Sequence, residues 1–241
     1  MLTNLDRKDL YWIIRRLPPP LREMMKRQRR GLVVAGGFVR ACVAGERAAD
    51  IDVFVSSKDA ALALSTELAK GGRLIKTDNA YTVADRFALS VQFIHRWVYS
   101  SPEELLESFD FTIARSALWF NGPTLSDWES LCDPRFYPDL AAKRLVYCSP
   151  QRNEDAGGSL LRVLKFYQRG YRIPLDSLGA VTARLLCGID ESLLGVAGTR
   201  EERLSAALTG LLHEVDPLAD PEHLAHLPAT TEALDTILLE D

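Results

Sequence analysis

The sequence predicts an α+β protein: a head with a mixed, mainly antiparallel sheet and helices packed on one side over 1–148, then an all-helical domain over 149–241. Three observations carry this. Short strand patterns alternate with helical ones through the first part of the chain. Beyond Pro174, the segments SLGAVTARLLCGI and TREERLSAALTGLLHEV and the Leu-rich stretch after Pro221 all place apolar residues three and four apart. Between them the composition changes after Val146, and 148–158 is a polar stretch containing Gln151, Arg152, Asn153, Gly157 and Gly158, a site where a protease is expected to nick the chain.

A chain of 241 residues with 47% hydrophobic side chains can bury a core. No run approaches a membrane span, and the N-terminus is amphipathic without the apolar stretch of a signal peptide, so the expected location is cytoplasmic. The four cysteines, Cys42, Cys132, Cys148 and Cys187, lack C-x-x-C spacing, and the four histidines do not cluster with them, so neither a disulfide framework nor a zinc site is indicated. Charge is uneven. Residues 1–47 hold eleven basic and four acidic side chains, whereas 185–241 hold two and twelve. Such a dipolar chain can guide a polyanion to one end, although each run also reads as a solvated helix face.

In chain order, Leu5, Leu10, Ile13, Ile14 and Leu17 recur at helical spacing until Pro18–Pro20 stop the helix. A second helix over 20–30 leads to a strand at Leu32–Ala35. Gly36-Gly37 and a short helix from Phe38 follow, and then a strand carrying Asp50 and Asp52. Ser56-Ser57 caps a helix over 58–70, which Gly71-Gly72 breaks. Strands are predicted at 73–76, 81–83 and 88–95, and a helix capped by Ser101 with Pro102 in its first turn. ESFDFTIARSALWF reads as a strand, and CDPRFYPDLAAKRLVY as a helix leading into another. SLLRVLKFYQRGYRIP is a helix whose Arg162, Lys165 and Arg169 share one face.

The stretch from Gly31 to Val55 organises the rest. Two glycines between strand and helix let the backbone approach a ligand and aim free amides at it, which makes an anion cradle of Gly36 and Gly37. On the second strand Asp50 and Asp52 project from one face while Ile51, Val53 and Val55 fill the other. Two carboxylates about 7 Å apart along a strand suit Mg, a hard cation that shares oxygen ligands with substrate phosphates.

GGFVRACVAGERAADIDVF resembles the signature GGxVRDxLLGxxxxDxD of the tRNA nucleotidyltransferase and bacterial poly(A) polymerase family, in the DNA polymerase beta-like nucleotidyltransferase superfamily. Gly36, Gly37, Val39, Arg40, Gly45, Asp50 and Asp52 fall in register, and Ala41 stands where the family has Asp. Asp110 to Ile113 resemble the start of the family's DFTINA segment, with Ser108 and Phe109 replacing two arginines that commonly precede it. The resemblance weakens through Asp133-Pro134, Asp139-Leu140 and Arg162 to Ile173, covers about 31–174, and leaves no room for the family's tRNA-binding body and tail.

That resemblance implies a polymerase beta-like head, with the site in a cleft beside the helical domain. It implies Mg-dependent transfer of a nucleotide from an NTP, ATP or CTP, to a hydroxyl acceptor such as an RNA or tRNA 3′ end, with release of pyrophosphate. Asp50 and Asp52 would be the metal ligands; Gly36, Gly37 and Arg40, with Arg162, Lys165 and Arg169, would bind the nucleotide. The third carboxylate of the superfamily finds only Gln92 near its expected place, so Asp110 is the candidate substitute, with His95 behind it. Two alternatives stay open: a nucleotide-binding regulatory module without turnover, and nucleotidylation of a protein or small molecule.

Overall fold

The computed structural model describes residues 1–122, 124, 127–150, 156–189 and 198–215. The chain forms two compact units, Met1–Ala142 and Lys143–Asp241.

The first unit is built on seven strands: β1 Leu32–Ala35, β2 Asp50–Val55, β3 Arg73–Lys76, β4 Ala80–Ala84, β5 Ser90–Ile94, β6 Ser116–Phe120 and β7 Trp128–Cys132. They form one sheet in the order β3-β4-β5-β2-β1-β6-β7. Every neighbouring pair is antiparallel except β2 and β5, which run parallel with Asp50 level with Ser90 and Asp52 level with Gln92. A parallel pair needs a long crossover. Here it is a helix over Lys58–Leu68 followed by the β3–β4 hairpin.

The helices of this unit are α1 Arg7–Arg16, α2 Pro19–Gln28, α3 Gly37–Ala44, α4 Lys58–Leu68, α5 Pro102–Glu107 and α6 Phe136–Ala141. Asp6 caps α1 by accepting from the Lys8 amide at 2.8 Å, and the predicted stripe Leu5, Leu10, Ile13, Ile14 and Leu17 is buried throughout. Ser57 caps α4 and Ser101 caps α5, as serine before a first turn should. Ile51, Val53, Val55, Val91 and Phe93 supply one buried face of the sheet. The other face is divided. At its β1–β6–β7 end, Leu105 and Leu106 of α5 pack on Val33, Ala35, Ala117 and Trp119. Thus the helices do not all lie on one side, because the Leu-Leu pair of α5 finds an apolar surface on the second face. At the β2–β5–β4 end that face carries polar, half-buried side chains: Asp50, Asp52, Ser90, Gln92 and Thr82.

Two sequence expectations are corrected. ESFDFTIARSALWF is not one strand: Thr112–Ala114 form a 3-10 turn and β6 begins only at Ser116. Two side-chain bonds, one local and one long-range, divert the backbone there. Arg115 Nε donates to the Phe109 carbonyl at 3.0 Å, and the Thr112 hydroxyl donates to the buried Asp139 carboxylate at 2.7 Å. After α6 no strand follows among the described residues; Arg144 and Arg172 form an isolated bridge there.

The second unit contains α7 Ala156–Gln168, α8 Leu175–Cys187 and α9 Arg200–Val215, with α7 packed on the other two. Its centre includes Val163, Tyr171, Val181 and Leu185, all buried. The bonds Leu145 N–H to Arg172 O and Arg172 N–H to Lys143 O, each 2.8 Å, tie residues 143–145 to this unit, so the first unit ends at Ala142 while the composition changes a few residues later. Residues 151–155 of the polar stretch, and the Leu-rich acidic segment beyond Val215, lie outside the described residues. No helix among the described residues is long and apolar enough to cross a membrane.

Candidate active site

The turn between β1 and α3 is fixed by backbone geometry that only glycine tolerates. Gly36, the residue before the first turn of α3, has φ +76° and ψ −124°, and its N–H donates to the Ser116 carbonyl at 2.9 Å. A Cβ on it would also sit 3.2 Å from the Phe109 ring. Gly37 opens the helix, and a Cβ there would meet nothing within 4 Å. The start of α3 thus has open space where a Gly37 side chain would stand, and its first amides lack intrahelical acceptors, a combination suited to anions. Gly45, at φ +70°, ends α3 in the left-handed conformation and turns the chain toward β2.

Asp50 and Asp52 lie on one face of β2, and the strand's burial alternates as the sequence predicts. The ladder pairs Val34 with Val53, so its next step brings Ala35, and with it the glycine turn, level with Asp52. Burial first, and the charge of Asp50 second, disfavour ionisation of the Asp52 carboxyl and push its pKa from the ordinary 3.8 up to about 7. Across the parallel ladder, Gln92 Nε2 donates to Asp50 Oδ2 at 3.0 Å. A pair of like-charged, half-buried carboxylates is relieved by a counter-cation, and oxygen donors of this kind fit Mg. Among the described residues no group of three His, Cys, Asp or Glu side chains could hold a metal. Such an ion would therefore need oxygen ligands beyond these two carboxylates.

The remaining predicted residues are placed differently from one another. Arg40 is buried in α3, and its Nη1 is ion-paired with Glu46 in the loop that leads to β2. Glu46 thus supplies an acidic partner although Ala41 cannot. Asp110 is buried in the turn after α5 and does not enter a strand. Its neighbour Phe109 lies against Gly36 and edge-on to Phe54, ring centroids 6.0 Å apart. His95 is buried on the opposite sheet face, its ring 4.4 Å from that of Tyr81, away from Asp50 and Asp52. Arg162, half-buried, and Lys165, exposed, lie on α7 of the second unit, but the exposed Arg169 does not share their helix face as expected: α7 ends at Gln168 and Arg169 stands in the turn that leads to Gly170, whose φ of +83° breaks the helix.

Sequence reasoning missed Glu46 as the partner of Arg40, Phe109 as the lid over Gly36, and the bond from Gln92 to Asp50. An acidic residue just past the glycine that ends the arginine's helix is a usable signal for the first. The other two depend on long-range pairing that no local pattern announces.

The family model described as Gabija anti-defense 2 family protein (Gad2) matches residues 7–143. No curated protein matches the chain. Among solved structures, a Thermotoga maritima CCA-adding enzyme complexed with tRNA aligns at 20% identity and TM-score 0.56, covering 89% of this chain and 55% of that one. CCA-adding enzymes complexed with ATP and with CTP align at 24% identity and TM-scores of 0.58 and 0.57, each covering 93% of this chain and 54% of the other. At such identities the likeness shows the nucleotidyltransferase fold, and this chain spans about half the length of those structures.

Proposed function

Because this chain belongs to the Gabija anti-defense 2 family and sets paired aspartates beside a glycine turn in a nucleotidyltransferase fold, we propose that it transfers a nucleotide from an NTP to a hydroxyl acceptor. The observation that carries the reading is the placement of Asp50 and Asp52 on one strand face, level with the opening of α3. A protein that kept the fold only for packing would gain nothing from a carboxylate forced up to about 7.

In this reaction the acceptor oxygen forms a bond to the α-phosphorus, the bond from that phosphorus to the bridging oxygen breaks, and pyrophosphate leaves with the electron pair. The amides that open α3 would receive phosphate oxygens at Gly37, where no side chain obstructs them. Asp50 and Asp52 would hold Mg, which when bound supplies charge for the attacking and leaving oxygens. Asp110 would take the acceptor's proton; its support is burial in the segment whose Phe109 touches the glycine turn. Arg40 and Glu46 would hold the loop that delivers β2. Arg162 and Lys165 on α7, with Arg169 in the turn after it, would bind phosphate.

The fold resemblance favours an RNA or tRNA 3′ end as acceptor, with ATP or CTP as donor. A second reading has its own support: the family description names a role against Gabija defence, and its match covers 7–143, the whole of the paired-aspartate sheet. On that reading the acceptor is a hydroxyl on a component of the defence. Incubation with each α-labelled NTP and either total RNA or protein from defence-carrying cells tests both. Label in RNA supports the first reading and label in protein the second; no label with any NTP in either mixture contradicts transfer itself.

A further inference from the structure

The connection between β4 and β5 carries apolar side chains where a loop is ordinarily polar. Residues 85–89 read Asp-Arg-Phe-Ala-Leu, and Phe87 and Leu89 are half-buried. Both line a cavity of about 510 Å³ in the first unit, within the usual range for small-molecule sites. Its floor includes Leu17, Phe38, Cys42 and Ile51, all buried. Ile51 stands between Asp50 and Asp52 on β2 and faces the other side of the sheet. The cavity therefore lies behind the paired aspartates and is separate from the site they form.

Arg15, Arg16 and Arg47 also line the cavity, against one carboxylate, that of Glu46, which is ion-paired with the buried Arg40. Arg15 and Arg16 are exposed at the end of α1, and neither has an ion-pair partner among the described residues. Arg16 lies over the Trp12 ring at 4.3 Å and approaches the Cys42 thiol, which holds its guanidinium at the edge of the apolar floor.

We infer that this cavity binds a small amphipathic anion, with an apolar chain against Phe38, Ile51, Phe87 and Leu89 and a single carboxylate or phosphate head on Arg15 and Arg16. Two features select that class. Apart from the arginines, Glu46 and the Cys42 thiol, every lining side chain is apolar, so a sugar or nucleobase would give up hydrogen bonds to water without replacement, whereas a hydrocarbon chain gains by leaving water. At the edge, planar guanidinium forks match the paired oxygens of a carboxylate or phosphate. The site goes beyond nucleotide transfer and does not depend on it.

Calorimetric titration of the full chain with decanoate, kept below its micelle concentration, should show one molecule bound per chain. Decan-1-ol lacks the charge and acetate lacks the chain, and each should bind at least about tenfold more weakly. Arg15→Ala and Arg16→Ala should each weaken decanoate about tenfold. Ala88→Trp, which puts a large side chain at an exposed part of the lining, should remove binding. Thermal melts without ligand check that each variant keeps the fold, and decanoate should raise the midpoint of the unchanged chain. Vesicles of phosphatidylglycerol separate a free anion from a lipid head: the chain should stay in the supernatant when they are sedimented. Equal binding of decanoate and decan-1-ol, decanoate binding that none of the folded variants weakens, or no binding at millimolar decanoate would overturn the assignment. Sedimentation with vesicles in place of binding to free decanoate would overturn it too, by giving the arginines to a membrane surface. None of these results bears on nucleotide transfer, so the two readings stand or fall separately.

Discussion

Replacing Asp52 with asparagine keeps the side chain's size and removes its charge, and the predicted outcome is a protein that becomes more stable as pH rises relative to the unchanged chain. The Asp52 carboxyl is raised from 3.8 to about 7 by burial and by Asp50. Between those values the folded chain keeps a proton that the unfolded chain releases, so stability falls as pH rises through about 4 to 7 and the loss is complete above it. Three pKa units correspond to at most about 4 kcal/mol, and water at the partly exposed strand face brings the expected figure to about 1–3 kcal/mol. Urea unfolding in chelator, at pH 4.5, 6 and 8, measures it. Asp52→Asn should differ from the unchanged protein by no more than about 1 kcal/mol at pH 4.5 and exceed it by the full amount at pH 8, while millimolar Mg should narrow the gap at pH 8 by stabilising only the unchanged chain. Parallel pH profiles for the two proteins would refute the reasoning, because they would mean that Asp52 ionises in the folded state as easily as in water.

Gly36→Ala should cost about 1–3 kcal/mol, since a Cβ at φ +76° is strained and meets the Phe109 ring; urea denaturation reads this directly. Gly37→Ala should leave stability within about 1 kcal/mol yet weaken nucleotide binding, which calorimetry with an NTP analogue would detect. Glu46→Gln removes the charge partner of the buried Arg40 and should destabilise by about 3 kcal/mol; an unchanged midpoint would show that the pair does not matter to folding. Arg162→Ala should weaken nucleotide or acceptor binding by about 1–3 kcal/mol, and unchanged affinity and turnover would make the basic face of α7 an ordinary solvated one.

Local patterns in the sequence were informative where local physics decides structure. The alternation of β2, the proline stop after α1, the serine caps of α4 and α5 and the glycine turn all follow from backbone preferences and burial within a few residues. The DFT segment failed as a strand for a reason no window reveals: Thr112 bonds to Asp139, which lies 27 positions on. The position of α5 on the second sheet face depends on which strands flank β1, a matter of topology. For the site, the paired aspartates and the glycine turn were legible because their spacing is short. Gln92, identified as a neutral residue near an expected carboxylate, acquired its meaning only from the parallel pairing that sets it beside Asp52 and from its bond to Asp50. Glu46 and Phe109 became visible once α3 and its loop had been folded around Arg40 and Gly36.

Nucleotide transfer by Asp52→Asn tests the central claim most directly. With α-labelled NTP, Mg and the acceptor that the unchanged chain labels, the variant should fold, melt no lower than the parent in chelator, and transfer label at least about a thousandfold more slowly. Transfer by the folded variant at the parent's rate, or a parent whose transfer survives complete chelation of divalent ions, would contradict the assignment of Asp50 and Asp52 as the charged centre of the site.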